Sequence, residues 1–332
     1  MHKDNRENAI AEQKNIKNFF KMKLMLARLS KSAYLYSMNK LPLEKRKQII
    51  HLLVEGNSLR STSRIADVSF NTVLKLLPQI GKVCEQFHNN KVVGVKADRV
   101  QADEVWSFCY AKDKNVTDDM PEGAGDVWTW VGMDADSKLV IGWLVGDRDA
   151  DTAKVFMQDI AARLAKRVQL TTDGLKAYLE AVEDAFEGEI DYYAQLIKIY
   201  GTGEGNSENL NDTKYSPAKY SSATKTVIEG SPREKFISTS YIERQNLTIR
   251  MSNRRFTRLT NAFSKKLENH CHSLALYFVY YNFCKIHKSL SVTPAMQAGL
   301  TKKPMTLEEL AMLCDYEAPK KRGGYKKKEK KD

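Results

Sequence analysis

Apolar residues recur at helical spacing near both ends of this chain and at strand spacing in the stretch between them. Over residues 1–40, Ile16, Phe19, Phe20, Leu24, Leu26 and Leu29 make a loose helical pattern among Lys and Asn, which reads as a basic arm, helical or disordered. Residues 41–90 have the pattern of a small all-helical unit. Pro42 opens a first helix carrying Ile49, Ile50, Leu52, Leu53 and Val54; Gly56 suits its C-terminal stop and Ser58 the next N-cap. A second helix is expected over 59–66, a turn at Asp67-Val68-Ser69, and a third helix from Phe70 to a stop near Pro78. Two short helices joined by a tight turn predict a helix-turn-helix. Asn71, Thr72 and Lys75 then lie at the exposed start of its second helix, where side chains reach base edges or phosphates. An ordinary three-helix bundle shares the pattern.

From Val100 the period shortens to two, and strands are expected over 100–110, 127–133 and 139–145. Asp134-Ala135-Asp136-Ser137 is a turn signal between the last two. A helix over 152–166, a short buried strand at 168–171 and a helix over 175–186 follow, then a strand or short helix at 192–200. This order predicts an α/β fold: a sheet of mixed strand direction with helices on its faces. Residues 201–238, rich in Gly, Ser, Asn and Thr, read as an inserted loop. Helical patterns resume at Thr239, run to about Ile286 and return near 306–314. Residues 320–332 hold eight Lys/Arg and two acids and read as a disordered basic tail.

Charge sharpens this layout. The 332 residues carry a net charge of +12, unevenly placed. Lys and Arg outnumber Asp and Glu by 12 to 4 over residues 1–50 and by 24 to 13 over 201–332, whereas 98–200 has 11 basic against 21 acidic residues. A basic, acidic, basic arrangement suits a metal-binding core between phosphate-binding surfaces. Five scattered cysteines without a CxxC pair argue against a disulfide framework and a zinc ribbon. Neither a secretory signal nor an apolar run near 18 residues is found, so no membrane span and an intracellular location are expected.

The candidate chemistry lies in three acidic segments. Asp103 falls inside a strand pattern, where Asp is depleted, and Asp173 lies just past a later strand. Glu243 begins a helix, with Arg250 two turns on along the same face. Strand alternation puts Asp103 and Glu104 on opposite faces, so one of them is expected to be a ligand, and Asp103 is taken. Arg244, Arg250, Arg254, Arg255 and Arg258 are expected to bind phosphates, with His287 and Lys288. His270, Cys271 and His272 read as a core Cys between helix-surface His residues, and the four Trp as core or sheet-face residues. No GxxxxGK[ST] is present, so no nucleotide is expected as a partner.

The segments Asp103-Glu104-Val105-Trp106, Thr172-Asp173-Gly174 and Glu243-Arg244-Gln245-Asn246-Leu247-Thr248-Ile249-Arg250 resemble the three acidic blocks of DDE transposases of the insertion sequence 1 family. The helix-turn-helix pattern fits that family's layout, and the resemblance covers roughly residues 43–300. It implies a helix-turn-helix domain at 41–90 and a ribonuclease-H-like catalytic domain at 97–300. Asp103, Asp173 and Glu243 would be the catalytic, metal-binding triad for two Mg²⁺ ions, with Mn²⁺ able to substitute. The implied activity is 3′-end cleavage and strand transfer of an insertion sequence. Its partners would be double-stranded DNA, as element ends and target, and further copies of the chain, in a nucleoid-associated cytoplasmic setting. The segment 281–288, followed by Thr293-Pro294-Ala295, resembles the end of the catalytic domain in integrase-type enzymes. Two departures stand out: no Cys precedes Cys84, so the family's N-terminal zinc ribbon is not expected, and the interval from Asp173 to Glu243 is long. A DNA-binding regulator with an inactive core and a structure-selective nuclease are the alternatives.

Overall fold

Local hydrogen-bond chemistry sets the first three helices of the described residues. The computed structural model describes residues 41–186, 192–200, 220–257 and 261–315. Helix α1 (Leu43–Val54) is followed by Gly56 at φ +79°, a conformation that favours glycine, and a Cβ there would come within 3.1 Å of the Ser252 carbonyl oxygen. Ser58 caps α2 (Leu59–Ile65) by accepting the Ser61 N–H at 3.0 Å. Ser69 caps α3 (Phe70–Lys91) by accepting the Thr72 N–H at 3.1 Å. The 22-residue α3 runs through Pro78, where the sequence predicts a stop. The reason is the buried stripe Val73, Leu76, Leu77, Ile80, Cys84 and His88, which keeps its three-to-four-residue spacing past the proline. Burying such side chains at roughly 1.5–3 kcal/mol each outweighs the roughly 3 kcal/mol that an interior proline costs.

Six strands follow: β1 (Arg99–Cys109), β2 (Gly125–Asp134), β3 (Val140–Gly146), β4 (Gln169–Thr172), β5 (Tyr192–Tyr200) and β6 (Tyr220–Gly230). They form one mixed sheet in the order β3-β2-β1-β4-β5-β6. β1, β4 and β5 are parallel, and the β1–β2, β2–β3 and β5–β6 pairs are antiparallel. Between β2 and β3 the Asp134 carboxylate accepts the N–H groups of Asp136 and Ser137, both at 3.1 Å, which closes the expected turn. The strand β6 corrects the inserted loop read over 201–238. Its Thr, Val and Ile are β-branched, but its exposed faces leave no clear alternation of apolar and polar residues. Residues 201–219, like the 1–40 arm and the 320–332 tail, lie outside the described residues.

Alternation along the sheet sends two sets of side chains to two helical layers. Trp130 packs against Phe156 of α4 (Ala150–Arg163) and Tyr178 of α5 (Ala177–Phe186). On the other face Val105, Val131 and Met133 join Ile242 and Ile249 of α6 (Ser240–Ser252) and Leu274 and Phe278 of α7 (Leu267–Val279). The helical patterns read from Thr239 to about Ile286 form two helices, because the chain turns extended at Asn253. In α7 the burial of the His-Cys-His segment reverses the expectation: His270 and His272 are buried and Cys271 is half-buried. Gly81 of α3 lies against His272, where a Cβ would come within 2.4 Å of the His272 Cβ.

A π-helical turn, Tyr280–Cys284, extends α7 and points Asn282 at the edge strand β3. Its Oδ1 accepts the Val140 N–H at 3.0 Å and its Nδ2 donates to the Val140 carbonyl at 2.8 Å. Two short helices, α8 (Pro294–Gln297) and α9 (Leu307–Met312), follow, and Arg46 of α1 donates to the Ala311 carbonyl of α9 at 3.1 Å. Leu43–Cys314 therefore forms one compact unit, in which the helices read at 41–90 share a core with the sheet. Among the described residues no helix is long and apolar enough to cross a membrane.

Candidate metal centre

The acids meet where β1 outruns its parallel neighbour. Arg99–Ala102 of β1 pair with Gln169–Thr172 of β4, and there β4 ends. Asp103 and Glu104 are therefore the first β1 residues without a β4 partner, and Asp173 follows directly after Thr172. On the β2 side Asp103 lies opposite Val131 and Glu104 opposite Trp130, so the two do belong to opposite faces. The alternation does not keep them apart in space. One carboxylate oxygen from each of Asp103, Glu104 and Asp173 lies within 4.8 Å of the other two. Past the end of β4 the strand edge is open, so side chains from both faces converge in the same gap.

Each acid is held differently. Asp103 accepts the Glu104 N–H at 2.8 Å and the side-chain amide of Asn246 from α6 at 2.8 Å. Asp173 accepts the Leu175 N–H at 2.9 Å. The Glu104 side chain is 1% exposed, and its Oε2 accepts from Arg148 Nε at 3.2 Å. Its Oε1 is buried against the Tyr178 hydroxyl, which hydrogen-bonds the carboxylate. The Arg148 guanidinium also lies 3.7 Å from Asp173 and rests over the Trp128 ring at 4.9 Å. Burial first, then the neighbouring carboxylates, push Asp103 and Glu104 each up to about 7. The Tyr178 phenol is raised well above its ordinary value, chiefly by burial and then by Glu104. Clustered carboxylate oxygens form a donor set that suits a hard divalent cation.

Glu243 enters from α6. Gln101 on β1 accepts the first-turn N–H groups of Tyr241 and Ile242, both at 3.0 Å, and so fixes the start of that helix on the sheet. Asn246, one turn beyond Glu243, makes the bond to Asp103. Glu243 itself receives the Lys198 ammonium on both carboxylate oxygens and the Thr239 hydroxyl on one. Its charge is felt at Asp103, but it does not belong to the three-carboxylate group.

The expected phosphate-binding residues fall into three groups. Arg244, Arg254, Lys288, Asn71 and Lys75 are exposed; Thr72 and Arg250 are half-buried. The Thr72 hydroxyl bonds the Ser69 hydroxyl at 2.8 Å. Arg255 turns inward instead: its Nε donates to Ser264 at 2.7 Å and its Nη1 to Ser273 at 2.8 Å, so those donors are committed inside the protein. His287 is half-buried and bonded to Ser289 at 3.0 Å, and burial lowers its pKa. Arg258 lies outside the described residues.

Sequence reasoning weighed Glu104 and set it aside, and it passed over Arg148, Lys198, Asn246 and Tyr178. A signal existed for Lys198, the sole cation in an apolar strand segment where Lys is depleted. Asn246 stands three residues after Glu243, on the same helix face. Arg148, in Asp147-Arg148-Asp149, carries no periodic signal.

No protein-family model matches this chain, and no curated protein matches it. Among solved structures it overlaps a Mos1 transposase paired-end complex with the left transposon end, at 16% identity and a TM-score of 0.19 over 46% of this chain and 59% of that one. It also overlaps a mariner Mos1 paired-end complex with Mg, at 15% identity and a TM-score of 0.20 over 47% and 60%. A piggyBac transposase synaptic complex with hairpin DNA overlaps at 10% identity and a TM-score of 0.33, over 89% of this chain and 78% of that one. The chain thus spans about three fifths of the Mos1 chains it overlaps. Overlaps this distant assign neither a family nor an activity.

Proposed function

We propose that this protein is a metal-dependent DNA transposase of the DDE type, with a ribonuclease-H-like core and a helix-turn-helix that reads DNA. The observation that carries the reading is the gathering of carboxylates from segments about 70 residues apart in sequence where β4 ends beside the continuing parallel strand β1. They gather beside a helix bearing Glu243, in a chain of net charge +12. Asp103, Asp173 and Glu243 would hold Mg²⁺, two ions in the full site, with Mn²⁺ as a substitute. Bound there, the ions would stabilise charge on the attacking and leaving oxygens of a phosphodiester.

The chain's own residues supply the rest. Asn246 orients the Asp103 carboxylate, and Gln101 anchors the helix that carries both Asn246 and Glu243. Arg148 and Lys198 put cations beside the acids, where a DNA phosphate would arrive. Arg244, Arg254 and Lys288, exposed to solvent, suit the phosphates farther along the duplex. Asn71, Thr72 and Lys75 at the start of α3 would reach the major groove at the element's ends. The chemistry is hydrolysis at the 3′ end of the element, followed by attack of the freed 3′-OH on target DNA. Transesterification conserves phosphodiester bonds, so no nucleotide is needed. Joining two ends in one complex calls for a homo-oligomer.

The test is a supercoiled plasmid carrying the gene with several hundred flanking base pairs, incubated with the protein and Mg²⁺ or Mn²⁺. Cleavage at two flanking positions and new joints in a target plasmid are expected, and both should vanish with Asp103→Asn. Binding to the flanks without cleavage in either metal would instead favour the DNA-binding regulator. Cleavage without joints would favour the nuclease.

A further inference from the structure

We infer that Lys198 is a substrate-binding residue of the catalytic centre. It neutralises Glu243 in the free protein, gives way when a divalent cation binds that carboxylate, and then binds the DNA phosphate being cut. The inference rests on the reading above, in which Glu243 holds a metal ion. Occupancy is the first support. The Lys198 ammonium lies on both oxygens of Glu243, and the Thr239 hydroxyl donates to one of them. A carboxylate has about four lone-pair sites, and three are taken here. A divalent ion on the same oxygens would meet the charge of the ammonium at close range, so Glu243 holds one cation or the other.

Placement is the second support. β4 pairs with β5 over Tyr192–Gln195 only, so β5 has run past the end of β4 when it reaches Lys198. β1 outruns β4 on one side and β5 outruns it on the other, and the gap faced by Asp103 and Asp173 is flanked by Lys198. Among the described residues Glu243 is its only hydrogen-bond partner. The two side chains are 26% and 39% exposed, and an ion pair so open to water adds little stability, so little is lost when it parts. The neighbouring cations are less free. Arg148 is spread over Glu104, Asp173 and the Trp128 ring. Lys225, on the same face of the β5–β6 pair because it lies opposite Leu196, donates to the Glu234 carbonyl at 3.0 Å. Displaced from Glu243, the Lys198 ammonium stays tethered at the gap, and the anion that arrives there is a phosphate, which a compact charge on a flexible stem suits.

Mn²⁺ is the probe, titrated into the full chain without DNA and followed by electron paramagnetic resonance and calorimetry, beside plasmid cutting at saturating Mn²⁺. Lys198→Met should bind Mn²⁺ at least threefold more tightly than wild type, yet cut at least fivefold more slowly. The opposed signs separate the exchange from its rivals. A purely structural ion pair would lower both quantities on its loss, and a mere lock on Glu243 would leave cutting as fast or faster. Glu243→Gln should weaken Mn²⁺ binding at least tenfold, and on that background Lys198→Met should add no tightening. Lys225→Met should change neither quantity by more than twofold. Lys198→Gln should behave as Lys198→Met does, which keeps the test open if one of them misfolds. The inference is overturned, with the transposase reading left standing, by tightening below threefold or slowing below fivefold in the Lys198 variants. Tightening that persists on Glu243→Gln or appears equally in Lys225→Met, or Mn²⁺ binding indifferent to Glu243→Gln, would overturn it too. If wild type binds Mn²⁺ but never cuts the plasmid, it is the transposase reading that fails, and the phosphate role of Lys198 falls with it.

Discussion

Raising the pH of the metal-free protein from 6 to 8 is expected to cost it stability relative to a variant that lacks the two buried acids, and the acidic cluster sets the size of the difference. Asp103 and Glu104 rise from ordinary values of 3.8 and 4.5 to about 7 in the fold, because burial and mutual repulsion oppose their charged forms. A group whose pKa is raised on folding contributes stability below its unfolded value and loses it as pH climbs through its folded value. For these acids the loss runs from their ordinary values up to about pH 7, and its last part falls between pH 6 and 8. The buried His88 and His270, lowered to about 3, act with the opposite sign: stability they withhold at low pH returns as the pH passes their ordinary value of 6.5, so each offsets about 0.8 kcal/mol of the loss over the same window. One pH unit of full proton release is about 1.4 kcal/mol per group. The coupled pair should therefore cost roughly 1–3 kcal/mol across the window. Urea unfolding in EDTA at pH 6, 7 and 8 measures it, with the Asp103→Asn, Glu104→Gln double variant as the control. In Mg²⁺ the trend should flatten or reverse, since ionised carboxylates bind the metal. An equal pH slope from 6 to 8 in wild type and in the double variant would refute the assignment.

Gly81→Ala should cost about 1–3 kcal/mol in urea unfolding, because the added methyl would sit 2.4 Å from the His272 Cβ and must push α3 off α7; unchanged stability would mean the two helices do not cross so closely. Gln101→Ala leaves the Tyr241 and Ile242 N–H groups without their acceptor, at about 1–3 kcal/mol. Loosened placement of Glu243 should lower plasmid cleavage more than DNA binding, and equal loss of both would count against that role. Changing Asn71 and Thr72 together to Ala should weaken the footprint on the element's ends by about 1–3 kcal/mol per lost base contact, with non-specific binding kept. A full footprint would move end recognition elsewhere in the chain.

Where a pattern is carried by neighbours along the chain, it was readable. The alternation over 100–110, 127–133 and 139–145 marks β1 to β3, and Asp134 both signals and makes the turn. Tertiary burial overrode the local signal at Pro78, since the apolar stripe of α3 continues beyond it. The strand β6 was hidden because its exposed positions need no alternation. Asp103, Asp173 and Glu243 could each be singled out from local context, but not their mutual arrangement. The gap they face depends on β4 ending at Thr172 opposite Ala102, a parallel register that no short-range pattern encodes. Glu104 was set aside by a correct rule about faces, which stops being decisive where the neighbouring strand stops. Arg255 looks like Arg254 in sequence, and only the positions of Ser264 and Ser273 turn it inward.

The amide of Asn282 gives the sheet a rim closed by a side chain. At Val140 it offers an acceptor and a donor in the places where another strand's backbone would offer them, and His88 adds a second contact to the same carbonyl at 3.2 Å. A stray extended segment arriving along β3 would have to evict a buried amide before it could pair there. The far rim, β6, is guarded by another means: Lys225 stands exposed on it, and a charge on an edge discourages stacking of chain upon chain. Asn282→Leu would keep the bulk and uncover the polar backbone of Val140, so the variant's failing should be clumping in concentrated solution as much as loss of folding energy.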